Sequence, residues 1–273
     1  MNRALKLSAF FTLIASFLAE SILDAAFRPK KNRNSAVDSK KIANRIADYS
    51  TRALRILGIR TYLLDMPPEI RSGLIVANHL SYVDVLVLSR VAPFLFVTSV
   101  EVKHSFGLGL ITRLAGCLFV ERRSRTQLKS ESSRIEEVLA SRIPVVLFPE
   151  GTSSDGSDVL PFRPALFQSA IDAEVPVHLF QISYDDDAVP YHGDHRFLSH
   201  LLKLCSRKKI RARLRYLGRL RPEVGDRKTL ANHAELRIRS AHVSRIPGCI
   251  SAQPYLGKIR QSPNSDQPQV GVV

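Results

Sequence analysis

The chain has 273 residues, 45% of them hydrophobic and 24% charged, which is enough to close a core and excludes disordered, collagen-like and disulfide-scaffold classes. Lysine and arginine number 40 against 25 aspartate and glutamate, a formal charge of +15, so an anionic partner is expected; a membrane surface and nucleic acid both satisfy that. The three cysteines, Cys117, Cys205 and Cys249, lie far apart with no Cys-x-x-Cys pair, which points to a reducing compartment and to Cys117 as a small buried thiol.

Leu5 to Phe27 is mostly apolar and follows Arg3, and its longest charge-free run is Leu7 to Ala19. That run, as a helix, reaches about 20 Å, short of a hydrocarbon core of about 30 Å. Glu20 and Asp24 then interrupt it. The expectation is an uncleaved helix that lies in the membrane interface or re-enters it, in preference to a true span or a secretory signal. Arg28-Pro29-Lys30-Lys31-Asn32-Arg33 follows as a basic linker suited to lipid headgroups. Lys40 to Leu57 repeats apolar residues at helical spacing (Ile42, Ile46, Tyr49, Leu54, Leu57). The pattern predicts an amphipathic helix whose apolar face suits a protein core and a membrane equally. Residues 1–65 are therefore read as membrane-associating helices and linker, 66–250 as one domain, and 251–273, rich in Pro, Ser, Asn, Gln and Gly, as a disordered tail.

From Gly73 onward short apolar runs alternate with helical stretches: Leu74 to Ala77, Phe94 to Val97, Cys117 to Val120, Val145 to Phe148, Val177 to Ile182 and Ala212 to Leu217. This predicts an α/β fold, a central and largely parallel sheet flanked by helices. Ligands bind outside the carboxyl ends of such strands. The residues there are Asn78-His79 after the first run, Glu121-Arg122 after the third and Pro149-Glu150-Gly151-Thr152 after the fourth.

His79 and Asp84 are separated by four residues, a spacing that random placement of the 8 histidines yields about 0.4 times in this chain. Its position at a strand-to-helix turn raises its value. An aspartate that accepts one imidazole N–H fixes the tautomer and leaves the other nitrogen free to take a proton from a hydroxyl. By itself the pair reads first as an ordinary hydrogen-bonded structural histidine, and the other motifs are what turn the reading. Gly116-Cys117-Leu118-Phe119-Val120-Glu121-Arg122-Arg123 is a buried strand ending in two cations whose planar forks suit phosphate, although a solvated strand end reads the same way. Phe148 to Thr152 joins a carboxylate, a permissive glycine and a hydroxyl, the makings of a polyol contact or of a plain acidic turn. Val175-Pro176-Val177 feeds the next strand and serves packing.

Together and in this order these blocks resemble the glycerolipid acyltransferase family, which makes phosphatidic acid from acylated glycerol phosphate and carries a His-x-x-x-x-Asp motif. The resemblance covers about Leu74 to Leu217. It implies His79 as catalytic base, Asp84 as its orienting partner, and Arg122, Glu150, Gly151 and Thr152 at the acceptor. It also implies an acyl-CoA or acyl carrier protein thioester as donor substrate, membrane lipids as partners, no metal or redox cofactor, and a place on the cytoplasmic face of a membrane, the inner membrane if the source is bacterial. Donors near the turn would then stabilise the tetrahedral oxyanion. Two departures from the common pattern concern cations: Ser153 stands where many relatives carry arginine, and Thr98 where many carry lysine. Lys103, Arg122, Arg123 and Arg163 are the candidates to replace them, and another lysolipid, a lysophospholipid or a lyso-amino-acid lipid, is an alternative acceptor.

His192, Asp194 and His195 show no third firm ligand and no closed metal geometry. The Lys- and Arg-rich stretch from Lys203 to Arg221 reads as a basic surface. A nucleic-acid-binding protein would need an aromatic platform or a reading helix, and the chain has no tryptophan and 7% aromatics. An inactive membrane scaffold of the same fold is the other non-enzyme reading, opposed by the intact His79 and Asp84. No Gly-x-Ser-x-Gly turn supports a serine hydrolase.

Overall fold

The computed structural model describes residues 2–27, 36–105, 107–121, 125–222 and 225–243, with backbone alone for 125–131 and 243. Arg122, the basic linker Arg28 to Arg33, Cys249 and the 251–273 tail lie outside the described residues.

The sheet is built from β1 (Ile59–Leu64), β2 (Leu74–Ala77), β3 (Leu95–Ser99), β4 (Leu118–Val120), β5 (Val145–Leu147), β6 (Val177–Tyr184) and β7 (Ile210–Leu220). Its order is β1-β7-β6-β2-β5-β3-β4. All neighbours are parallel except β6 and β7. The six apolar runs each coincide with a strand. The seventh strand, β1, escaped the pattern because Arg60 and Thr61 break its apolar run; it pairs with β7 from Ile59↔Ile210 to Leu64↔Arg215 at the edge.

Central β2 is buried on both faces, as strands of a covered parallel sheet must be. Ile75 and Ala77 face one core together with Leu54 and Leu57 of α2 (Ala36–Leu57), Val83 and Val87 of α3 (Val83–Leu88), and Leu201 and Leu204 of α8 (Phe197–Ser206). Leu74 and Val76 face the other, with Ile135 and Leu139 of α6 (Arg125–Ala140), Ala170 of α7 (Gln168–Asp172), and Leu230 and Ile238 of α9 (Arg227–Val243). The short helices α4 (Val100–His104) and α5 (Leu108–Leu114) lie between β3 and β4 in sequence. Alternation of side chains along each strand thus divides the core into two layers.

The choice left open for the second helix resolves toward protein: α2 buries Ala43, Ile46, Ala47, Ala53, Leu54 and Leu57. The N-terminal helix is longer than its charge-free run. α1 (Arg3–Phe27) has 25 residues, about 37 Å, long and apolar enough to cross a membrane by length and composition. Glu20 and Asp24 do not end it because both turn toward α2. Arg45 is held by Glu20 Oε1 at 3.0 Å and Asp24 Oδ2 at 3.0 Å, Tyr49 donates to Glu20 Oε2 at 2.9 Å, and Lys41 pairs with Asp24. At the other end Lys6 is buried and donates to the carbonyls of Leu57 and Arg207. One face of α1 is therefore packed on the domain, through Phe10 and Phe17, while Leu5, Phe11, Ile22, Leu23 and Phe27 stay exposed.

Candidate active site

Register decides what meets at the sheet edge. β2 and β5 are neighbours aligned Leu74↔Val145 to Val76↔Leu147, so His79 and Glu150 leave the sheet side by side although 71 residues separate them. Asn78, 1% exposed, extends the pairing past the strand: its amide donates to Ile182 O at 3.0 Å and its Oδ1 accepts from Ile182 N at 2.7 Å. The end of β2 is thereby locked against β6. The next residue must leave the ladder.

His79 Nδ1 lies 2.9 Å from Asp84 Oδ2. Asp84 lies in the first turn of α3 and is fully buried, and its carboxylate folds back over the turn to accept the amides of Leu80 at 2.6 Å and Ser81 at 2.9 Å on the same oxygen. Its other oxygen accepts the Tyr184 hydroxyl at 2.7 Å. A buried carboxylate needs this number of donors, because an uncompensated charge there would be expelled or protonated. An ionised carboxylate oxygen only accepts, so the His79 contact is of the Nδ1–H···O⁻ kind, which leaves Nε2 unprotonated in the neutral ring. The ring stacks on Phe148 at 4.2 Å and 17°, and its side chain remains 21% exposed. The ring is therefore fixed in plane by Phe148 and Asp84 while part of the side chain stays accessible.

Glu150 is 3% exposed, and both its oxygens accept main-chain amides, Oε1 from His79 at 2.6 Å and Oε2 from Leu160 at 2.9 Å. Burial pushes its carboxyl up to about 7, against the lowering pull of those two amides. It is a brace between the β2 turn and the segment after Gly156. The amides of His79, Leu80 and Ser81 thus already donate to carboxylates, so the oxyanion donors expected near the turn are not these three. Gly151 has φ of 77°, and a Cβ there would come within 3.1 Å of the Arg163 guanidinium. The positive φ is what favours glycine, since the Arg163 side chain could shift to admit a Cβ. Thr152 is exposed beside it, and Ser153 donates to Tyr191 O, so the side chain at the position where many relatives carry arginine ties down a loop instead. That loop also donates Tyr191 N to Leu80 O at 2.7 Å, and Ser154 N donates to His79 O at 3.0 Å.

Of the residues expected at the site, His79, Asp84, Glu150, Gly151 and Thr152 gather at one edge. Arg122 lies outside the described residues. The end of β4, which precedes it, is separated from β2 by β5 and β3, about 14 Å at the usual strand spacing. Lys103 lies over the Phe119 ring at 5.5 Å. Cys117 is buried, and burial pushes its thiol up, as suits an inert core residue. Among the described residues no group of three or more His, Cys, Asp or Glu is placed to hold a metal. The sequence reading missed the Asn78 clamp and Tyr184; the signal for both was a hydrogen-bonding side chain at the carboxyl end of a strand.

The protein-family model described as Acyltransferase matches residues 59–183. The chain is 35% identical over 156 residues to a 1-acyl-sn-glycerol-3-phosphate acyltransferase of Neisseria meningitidis, covering 55% of this chain and 61% of that protein. It is 32% identical over 213 residues to a lyso-ornithine lipid O-acyltransferase of Brucella abortus, covering 71% of this chain and 80% of that protein. The match to the Neisseria protein and to its Neisseria gonorrhoeae counterpart spans about three fifths of their lengths, 61% and 58%. The crystal structure of the 1-acyl-sn-glycerophosphate (LPA) acyltransferase PlsC from Thermotoga maritima shares the fold, with a TM-score of 0.63 at 18% identity over 90% of this chain and 98% of that one. With a relative 32% identical and covered over 80% of its length, the chain belongs to the glycerolipid acyltransferase family.

Proposed function

We propose that this chain moves a fatty acyl group from an acyl thioester to a hydroxyl of a lysolipid, with His79 as general base and Asp84 as its orienting partner. The observation that carries the reading is the His79–Asp84 pair: Nδ1 is held at 2.9 Å by a buried carboxylate, and the histidine side chain is still 21% exposed. An alcohol is a weak nucleophile until a base takes its proton, whereas a thioester is already activated. His79 Nε2 takes the hydroxyl proton as the oxygen attacks the thioester carbonyl. The C–O bond forms, the C–S bond breaks, and the thiolate leaves with the proton that His79 returns. No acyl-enzyme, metal or redox cofactor enters this sequence.

Arg122, Gly151 and Thr152 are assigned to the acceptor side, and Glu150 acts there through the main chain that it braces. The first acceptor is 1-acylglycerol-3-phosphate. A lyso-ornithine lipid is the second, supported by the 80% coverage of the Brucella relative and by the engagement of Ser153 with Tyr191 O. The donor is acyl-CoA or acyl carrier protein. The outward face of α1 supports attachment to the membrane with the helix lying along the domain, and the basic composition supports the cytoplasmic face.

The test is transfer of labelled acyl groups from both donors to lysophosphatidate and lyso-ornithine lipid, by wild type and His79→Ala in the same detergent. Transfer by wild type that falls by at least about a hundredfold in the variant supports the reading. Transfer retained by His79→Ala overturns it.

A further inference from the structure

Tyr184 is the last residue of β6, and its hydroxyl donates to Asp84 Oδ1 at 2.7 Å. Oδ2 of the same carboxylate takes His79 Nδ1 and the amides of Leu80 and Ser81. One carboxylate thus joins the β2 turn, the start of α3 and the end of β6. The placement depends on strand periodicity. Phe180 and Ile182 belong to the core layer that α3 covers, and Tyr184, two residues further, packs against the same layer. A shift of one residue would send the phenol to the opposite face. The two bonds between Asn78 and Ile182 prevent that shift. Burial and the Asp84 charge push the Tyr184 phenol well above its ordinary value, so it remains a donor throughout the working range.

We propose that Tyr184 is a positioning residue for the acyl-transfer chemistry, its hydroxyl fixing the Asp84 carboxylate and thereby setting how strongly that carboxylate holds the proton on His79. This rests on the reading of His79 as the base. A donor on Oδ1 draws negative charge away from Oδ2, so it weakens the stabilisation of protonated imidazole while holding the carboxylate plane that fixes the ring. Without that donor Asp84 stabilises the imidazolium more strongly, and the base stays protonated to higher pH. Two ionisable groups act on the pair directly, Tyr184 through its hydrogen bond to Asp84 and Glu150 through its charge. Glu150 is common to wild type and variant, so it cancels in their difference.

The experiment compares wild type with Tyr184→Phe, which keeps the ring and removes only the hydroxyl. Expected are a fall in kcat of about tenfold with little change in acceptor KM, and an acid limb of the pH–rate profile moved upward by about half a unit or more. Leu204→Ala, a cavity in the same core layer, controls for lost stability and leaves the limb in place. In parallel, the His79 imidazole titration is followed by 15N NMR in detergent on the full chain, and its midpoint moves upward in Tyr184→Phe. This second readout needs no substrate. An upward shift in a protein that transfers no acyl group would leave the positioning role standing and sink the function assigned above. A folded Tyr184→Phe protein with an unmoved His79 titration would overturn the role of Tyr184, whatever its activity.

Discussion

The turn that carries His79 and the junction between α1 and α2 both hold charges out of water, by different means. Asp84 is satisfied by an imidazole and two main-chain amides from the adjoining turn, His79 to Ser81, and by a phenol 100 residues away in sequence, Tyr184. Arg45 is satisfied by two carboxylates on one neighbouring helix, Glu20 and Asp24, the first of them 53% exposed. Main-chain donors cannot relax without moving the turn that carries them, whereas ion-paired side chains can swing into water. The first arrangement fixes a geometry; the second attaches one helix to another and tolerates replacement.

Substitutions sharpen this difference in decreasing order of effect. Asp84→Asn presents an amide N–H₂ to groups that need an acceptor and frees the histidine tautomer. A fall in kcat of about a thousandfold or more is expected in single-turnover assays, and a variant within tenfold of wild type would show that the buried carboxylate does not orient the base. Glu150→Gln comes next. Burial raises the folded-state value to about 7 from 4.5, so the folded protein binds that proton more tightly than the unfolded chain. Stability from this group therefore falls as pH rises from about 4.5 to about 7, by at most about 3 kcal/mol. Denaturant melts at pH 5 and 7.5 should show that component removed in Glu150→Gln, along with a pH-independent cost of about 1–3 kcal/mol for a donor facing a main-chain donor. An unchanged difference between the two pH values would place the titration elsewhere.

Arg45→Met tests the helix junction. Because Asp24 keeps Lys41 and Glu20 keeps Tyr49, the expected cost is about 2 kcal/mol, seen as faster hydrogen exchange along α1, with acyl transfer per folded molecule retained in detergent. Loss of catalysis with α1 still protected would link this junction to the site directly. Ser153→Ala should be mildest, removing one bond to the Tyr191 loop and changing acceptor KM by about threefold or less. A larger change confined to one headgroup would identify that loop as part of acceptor selection.

Much of this was legible beforehand because it is local. Four-to-six-residue apolar runs mark β2 to β7, and helical spacing marks α2. The histidine, the aspartate and the Glu-Gly-Thr turn were readable as a set because the carboxyl ends of parallel strands collect on one edge. What failed did so for physical reasons. The edge strand β1 is half solvated and so carries polar residues that hide its period. Glu20 and Asp24 read as interruptions of α1 because their partners Lys41, Arg45 and Tyr49 lie on another helix. The sequence suggested a carboxylate for the acceptor at Glu150, yet neither of its oxygens is free, since the amides of His79 and Leu160 reach them only in the folded sheet.

By itself, then, the sequence determined the layered α/β fold, the edge that carries the site and the residue types there, since hydrophobic period and strand-end position are properties of short segments. Tertiary structure alone decided which donors surround Asp84, that Glu150 serves as a brace, and that α1 lies packed along the domain. These depend on the order β6-β2-β5 and on the contacts of α1 with α2 and with the end of α8, which bring together residues up to 201 positions apart, and no local pattern carries that information.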